Sequence, residues 1–360
     1  MGKFTANFDW IGAILLLCLG LMGLFLMLTI GVNVFTAQLL YLVIGLLLLF
    51  LLSTVDPVLL WWFAPYGYVI GIILLILSYL GPNIRGATRW IVIGGAQLQP
   101  SELAKPLFLL AFSYLMTRFS PRQLKYLPIH LALFIVPFLL VFKQPDLGSG
   151  IVYSASWIAM LIAGGLPIFI IVVAVIIGVM LAPFLWNHLL PYQKDRIFTF
   201  LNPALDPKGA GYNALQAMIA VGSGQLIGRG LGRGTQSQLR FLPEHHTDFI
   251  FATLIEELGF VGGIVLFLLY MLLMIRIIMP FIIGKISDVR VFIYSFGLFA
   301  MLFAQIFINA GMNMGIIPIT GITLPFVSYG GSSILSLSIS FGILWALQRR
   351  NSAEQTIAIG

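Results

Sequence analysis

Asp248 is the residue whose type and place could do the most chemistry. It closes the polar stretch Gly-Thr-Gln-Ser-Gln-Leu-Arg-Phe-Leu-Pro-Glu-His-His-Thr-Asp, and the apolar run Phe249-Ile250-Phe251 follows at once. A carboxylate at such a junction can meet both water and a lipid-borne substrate, and within hydrogen-bond reach of a hydroxyl it can take the proton. Thr247 or Asp248 could equally be the N-cap of the next helix, and spacing alone leaves both roles open. Glu244 and His246 belong to the same block. Adjacent His245 and His246 have poor geometry for joint metal ligation and no cysteine cluster accompanies them, which argues against a zinc site.

A second set of ionisable groups sits inside or beside apolar runs, where charge is costly unless paired or used. Glu102 and Lys105, in Gln-Pro-Ser-Glu-Leu-Ala-Lys-Pro, are three residues apart and share one helix face, so they can form an ion pair. The pair can be structural or can line a polar cavity. Asp146, in Lys-Gln-Pro-Asp-Leu-Gly, either caps the following helix or joins that cavity. Glu256 and Glu257 enter an apolar run after Asp248; neighbours in sequence point apart, so at most one of them shares its cavity.

The elements that must position these groups follow from composition. Of 360 residues 60% are hydrophobic and only 9% charged, far from a soluble domain, so lipid is the solvent for most of the chain. The lone Cys18 excludes an internal disulfide and has no metal-ligand spacing. The net charge of +7 comes mostly from short loops between apolar runs, which points to membrane orientation and away from nucleic acid.

Apolar runs predict an all-α, polytopic membrane protein with about ten spans, near residues 10–31, 36–54, 61–80, 100–117, 128–143, 149–163, 166–187, 249–276, 291–310 and 325–347. No repeat or soluble domain is evident, so residues 1–360 read as one membrane domain. The first span lacks a cleavage site and reads as a retained helix.

Lys3, Arg118, Arg122, Lys125, Arg276, Lys285, Arg290, Arg349 and Arg350 fall on one side if the N-terminus is cytoplasmic, and only Arg85, Arg89 and Lys143 occupy the opposite short loops. Both termini are then expected inside, with residues 188–248 forming a large extracytoplasmic loop between the seventh and eighth helices. So long a connection is usually functional. Residues 311–331, with Pro318, Gly321, Pro325 and Val-Ser-Tyr-Gly-Gly-Ser-Ser, carry irregular backbone that either lines the same cavity as Asp248 or is an ordinary connecting loop. No nucleotide-phosphate motif is present, which argues against an ATP-driven pump.

Several separated motifs together resemble the SEDS family of shape, elongation, division and sporulation proteins. They are Arg89-Trp90 through Lys105, Gln144 to Gly148, Asp206-Pro207 with Gly209 to Tyr212, Pro243 to Asp248, and Pro325 to Gly331. The stretch 234–238 looks more like the elongation branch, RodA, than the division branch, FtsW.

The resemblance implies a peptidoglycan glycosyltransferase that joins lipid II units on the outer face of the bacterial cytoplasmic membrane. It would release undecaprenyl pyrophosphate and work with a class B penicillin-binding protein. It places the family's essential acid on Asp248 and its membrane-embedded Glu and Lys on Glu102 and Lys105. Arg196, Arg229, Arg233, Arg240 and Lys105 are then candidates to meet the pyrophosphate charge, beside the simpler role of surface charge for the loop arginines. A divalent cation, magnesium or manganese, would suit a carboxylate facing pyrophosphate; no nucleotide or organic cofactor is expected. A lipid II flippase using Glu102, Lys105 and Asp146 as a polar path is the alternative, as is a division role within the same family.

Overall fold

The structure is a computed structural model, and it describes residues 8–82, 88–93, 96–188, 191–203, 211–239 and 241–358. Its architecture is the expected polytopic helical one. In chain order the helices are α1 Trp10–Ile30, α2 Val32–Ser53, α3 Pro57–Leu77, α4 Pro100–Arg118, α5 Leu127–Phe142, α6 Leu147–Ala163 and α7 Ile168–His188. After them come α8 Pro191–Leu201, α9 Tyr212–Ser223, α10 Thr235–Gln238, α11 Ile250–Ile282, α12 Val289–Asn313 and α13 Gly331–Ala358. Each of the ten expected spans has its helix, and α8, α9 and α10 lie in the long loop before Asp248.

Among the described residues seven helices are long and apolar enough to cross a membrane, while Leu147–Ala163 and Ile168–Phe184 are shorter apolar helices. Three of the differences from expectation have a cause visible in the structure. Helix α3 starts at Pro57 and not near 61, because the Asp56 side chain accepts from the Val58 amide at 2.8 Å and Pro57 occupies the first helical position. Helix α13 starts at Gly331 because residues 325–330 are a turn-rich segment and not helix. Helix α11 is not continuous, since Gly259 has φ 69° and breaks it.

That break has a physical cause on the page. The glycine-rich strip 224–230 lies against it, and its carbonyls at Gln225 and Leu226 accept from the Phe260 and Val261 amides at 2.9 and 3.0 Å. In return the Arg229 and Gly230 amides donate to the carbonyls of Glu256 and Glu257 at 2.9 and 3.0 Å. Backbone groups freed by the break are thereby satisfied within the protein, the condition for tolerating a break at membrane depth. A Cβ on Gly228 would run into the Glu257 carbonyl, so only glycine permits the approach.

Elsewhere the bundle closes through small residues, as expected where lipid supplies no hydrophobic drive between helices. Gly45 of α2 faces Ser338 of α13, and Gly297 of α12 faces Met160 of α6 and Leu109 of α4. One buried cluster draws residues from Leu15 to Leu347, while Leu40, Leu47, Val69 and Leu268 point outward, as lipid-facing side chains do. Arg276 at the far end of α11 pairs with Asp9, the N-cap of α1, at 2.6 Å, which ties the first helix to the end of the bundle opposite Asp248.

Candidate functional site

Asp248 sits at the end of a tight turn before α11, and the chain leading to it is clamped carbonyl by carbonyl. The His245 carbonyl accepts from Thr253 Oγ1 at 3.1 Å, the His246 carbonyl from the Tyr329 amide at 2.8 Å, and the Thr247 carbonyl from Ser328 Oγ at 2.7 Å. The Asp248 carbonyl accepts from both Asn309 and Asn313 Nδ2, at 2.9 and 3.0 Å. Such preorganisation holds a side chain in place without reorganisation during a reaction.

The clamp depends on segment 314–330, which is itself fixed where Gln38 of α2 donates to the Ser328 carbonyl at 3.0 Å. Neither Thr247 nor Asp248 caps α11; Phe249 holds that position without a side-chain bond. The Thr247 hydroxyl instead bonds to Glu244, whose backbone adopts φ 53°. His246 packs against Tyr329 with ring centroids 5.6 Å apart, and burial, with Tyr41 nearby, pushes the Tyr329 phenol above its ordinary pKa, so it stays a neutral donor.

The half-buried Asp248 side chain opens onto a cavity of about 510 Å³. Its walls are α8 (Asp195, Thr199, Phe200), the start of α9 (Asn213, Ala214, Met218) and the turn from Met312 to Gly321. Helix α9 is held over α11 by a small apolar contact in which Ala217 and Ala220 meet Leu242, Phe249 and Ala252. Irregular backbone at 315–321 lines the cavity, which decides between the two readings of this segment. Arg89 lines it too, with its Nε buried and without a hydrogen-bond partner. A carboxylate and a guanidinium therefore face one half-polar cavity, a combination suited to deprotonating a hydroxyl while meeting anionic oxygen.

Glu102 and Lys105 form the expected ion pair, at 2.6 Å and almost fully buried in α4. Asp146 caps α6 by accepting from the Ser149 amide at 3.0 Å, and it also accepts from Gln99 Nε2 at 2.9 Å and, at longer range, from Ser101 Oγ. The Tyr153 hydroxyl donates to the Ser101 carbonyl at 2.7 Å, and Ser336 Oγ of α13 donates to the Glu102 carbonyl at 2.6 Å. This second polar cluster is distinct from the cavity lining, and turn 320–322 lies between the two. Gly148, beside Asp146, is packed against Ile322 and the Thr320 carbonyl, and the neighbouring Gly321 faces Asp248.

The remaining acids and cations separate sharply. Glu256 accepts from the Gln236 and Ser237 amides at 2.8 and 3.2 Å and from Ser237 Oγ at 3.1 Å, which makes it the anchor of α10. Glu257 accepts from Gln238 Nε2 at 3.3 Å and contacts Thr29 of α1. Neither lines the Asp248 cavity among the described residues. Arg229 and Arg233 are exposed on the strip that docks at the Gly259 break and lie outside the lining as well, because that strip follows α11 and not α8.

Arg196 lies on α8 beside Asp195, and Arg240 falls outside the described residues. The residues that sequence reasoning did not select as site residues are Arg89, Asp195, Asn309 and Asn313. The two asparagines had a signal, being amides four residues apart inside an apolar span. As for a divalent cation, no group of three or more His, Cys, Asp or Glu among the described residues could hold one.

The cell cycle protein family model for FtsW, RodA and SpoVE matches residues 4–353. The chain is 42% identical over 310 residues to the peptidoglycan glycosyltransferase MrdB of Escherichia coli K12, covering 84% of this chain and 82% of that protein. It is 36% identical over 327 residues to the probable peptidoglycan glycosyltransferase FtsW of Coxiella burnetii, covering 86% and 85%. Among solved structures, a chain from a study of how a peptidoglycan synthase complex coordinates polymerization and crosslinking superposes with TM-score 0.82 at 29% identity, over 96% of this chain and 98% of that one. The crystal structure of the rod shape determining protein RodA of Thermus thermophilus gives 0.71 at 26% identity, over 96% and 97%.

Proposed function

The chain belongs to the FtsW, RodA and SpoVE family of cell cycle proteins, and from that premise we propose that it is a peptidoglycan glycosyltransferase of the elongation branch. Its substrate in this reading is lipid II, taken from the outer leaflet of the cytoplasmic membrane. Residues 188–248 then lie outside the cell, both termini lie inside, and the chain acts as one membrane domain. The observation that carries the reading is Asp248 facing Arg89 across one cavity at the end of a helical bundle.

In the reaction, a sugar hydroxyl of one lipid II loses its proton to the Asp248 carboxylate as its oxygen bonds to the anomeric carbon of the growing strand. The bond from that carbon to the pyrophosphate breaks, and undecaprenyl pyrophosphate leaves with the electron pair. Arg89 is the cation that the geometry offers to the developing negative charge. The cavity, at about 510 Å³, lies in the usual range for a ligand site and leaves the lipid tail to the membrane. Magnesium or manganese would be held by Asp248 with substrate phosphate oxygens, since the described residues make no cage of their own.

A class B penicillin-binding protein is the proposed partner, supported by the likeness to a chain of a peptidoglycan synthase complex. The test is strand synthesis from purified lipid II by the protein with that partner, crosslinking being blocked by a β-lactam. Wild type should give long glycan, and Asp248→Asn, folded and partner-bound, none. Normal strands from Asp248→Asn would remove Asp248 as the base, and no strands from wild type with any class B partner would return lipid transport as the reading to test.

A further inference from the structure

Gln305 is completely buried in α12, yet neither its amide nitrogen nor its amide oxygen has a hydrogen-bond partner. Buried amides in native proteins are nearly always satisfied by protein or by ordered water. Its neighbours on the same helix stripe show what could satisfy it. One turn back, Met301 shares with Lys105, Tyr153, Ser156 and Trp157 a small, largely apolar pocket of about 20 Å³, room for a water molecule beside those polar groups. One turn on, Asn309 gives its Nδ2 to the Asp248 carbonyl and keeps its Oδ1 buried and unpartnered.

Helix α4 runs alongside with opposite direction. Gly297 abuts Leu109, and Met301, one turn further, shares its cavity with Lys105. One more turn on each helix brings Gln305 to the level of Glu102, whose Oε2 is also buried without a partner, as is Trp157 Nε1. From Met301 to Asn309 the helix rises about 12 Å. Orphaned polar groups on α4, α6 and α12 thus mark a line from the Glu102–Lys105 pair to the backbone of Asp248.

We infer that internal water occupies this line, and that Gln305 and Asn309 are positioning residues that couple the Glu102–Lys105 pair to Asp248. A water in the small cavity accepts from Trp157 Nε1 and Lys105 Nζ and donates toward the Gln305 carbonyl; the Gln305 amide then reaches Asn309 Oδ1 through a second water. No covalent bond changes along the line. It transmits orientation, so the asparagine that holds the Asp248 carbonyl is itself held by the ion pair. The inference rests on the reading of Asp248 as the general base, and it gives Glu102 and Lys105 a part in the reaction although they lie outside the cavity lining.

Two measurements on the intact protein test it. Radiolytic hydroxyl-radical labelling, which needs no substrate, should oxidise Met301 and Trp157 well above Met27, which is equally buried but has no polar neighbour of this kind. Gln305→Leu should abolish that difference. In strand synthesis with the partner, Gln305→Leu should lower kcat about tenfold, a size typical of coupled neighbours. KM and melting temperature should hold, and Gln305→Asn should restore most of the rate.

Glu102→Gln should cost clearly less in the Gln305→Leu background than in wild type. Met301 and Trp157 as unlabelled as Met27 would overturn the inference, and so would effects of Gln305→Leu and Glu102→Gln that simply multiply. A wild type that makes no strands would sink the polymerase reading, while the labelling contrast would still decide whether the line is hydrated.

Discussion

Asp248 and the pair Glu256-Glu257 lie within ten residues on one stretch of chain, and their surroundings are opposite. Around Asp248 four successive backbone carbonyls are clamped, and the half-exposed side chain lines a cavity that also holds Arg89. Around Glu256 the bonds go to the carboxylate itself, which is fully buried and takes two amides and a hydroxyl of α10. A carboxylate whose lone pairs are filled by the fold has little left for a substrate. One whose backbone is fixed and whose side chain lines an open volume is arranged to meet one. The same functional group, a carboxylate, therefore anchors structure at one position and is poised for chemistry at the other.

The largest effect that separates the two is expected at Asp248. Asp248→Asn keeps shape and backbone clamp but removes the base, so strand synthesis should fall by about 10²–10⁴ while the melting temperature stays put. Glu256→Ala is the converse. It strands the Gln236 and Ser237 amides, so folding should lose about 2–4 kcal/mol, read as a lower melting temperature in detergent. Surviving folded molecules should keep most of their rate. If Glu256→Ala left stability intact and abolished synthesis, the division between the two sites would be wrong.

Arg89 sharpens the comparison from the cation side. Arg89→Gln should lower kcat/KM about ten- to hundredfold, the size of a lost charge-assisted bond, whereas Arg229→Gln, on the exposed strip, should leave it within about twofold, as surface charges usually do. Equal losses at the two positions would mean that the leaving group meets the glycine-rich strip and not the Asp248 cavity.

How much of this could be read from the chain depends on whether the interaction is local. The ten spans are legible because each apolar run states its own length, and the Glu102–Lys105 pair and the Asp146 cap are legible because three-residue spacings fix who meets whom. Asp248 stood out by its place at a polar-apolar junction. The Gly259 break is invisible, because the apolar run continues through it and its cause is a strip some thirty residues earlier docking on the helix. Arg89 escaped selection for the same reason, since its partner across the cavity lies far along the chain. Arg229 and Arg233 were selected on charge and loop membership, which say nothing of which wall a loop covers, and they lie outside the lining of the Asp248 cavity.

The smallest expected effect tests the clamp itself, and Asn313 is the place to look for it. Its Nδ2 donates to the Asp248 carbonyl at 3.0 Å and its Oδ1 accepts from the Ala252 amide at 3.2 Å, so one side chain fixes both ends of the entry into α11. Asn313→Ala removes both bonds and should cost about 1 kcal/mol, seen as a several-fold loss of strand synthesis and a slightly lower melting temperature. Asn313→Asp keeps the acceptor for Ala252 but turns an acceptor toward the Asp248 carbonyl, where a donor is needed. If the clamp matters through its donor, Asp at this position should be slower than Ala in strand synthesis despite filling the space better. If the asparagine only fills space, the order reverses, and the fixed backbone of Asp248 would then owe its position to Asn309, Ser328 and Tyr329 alone.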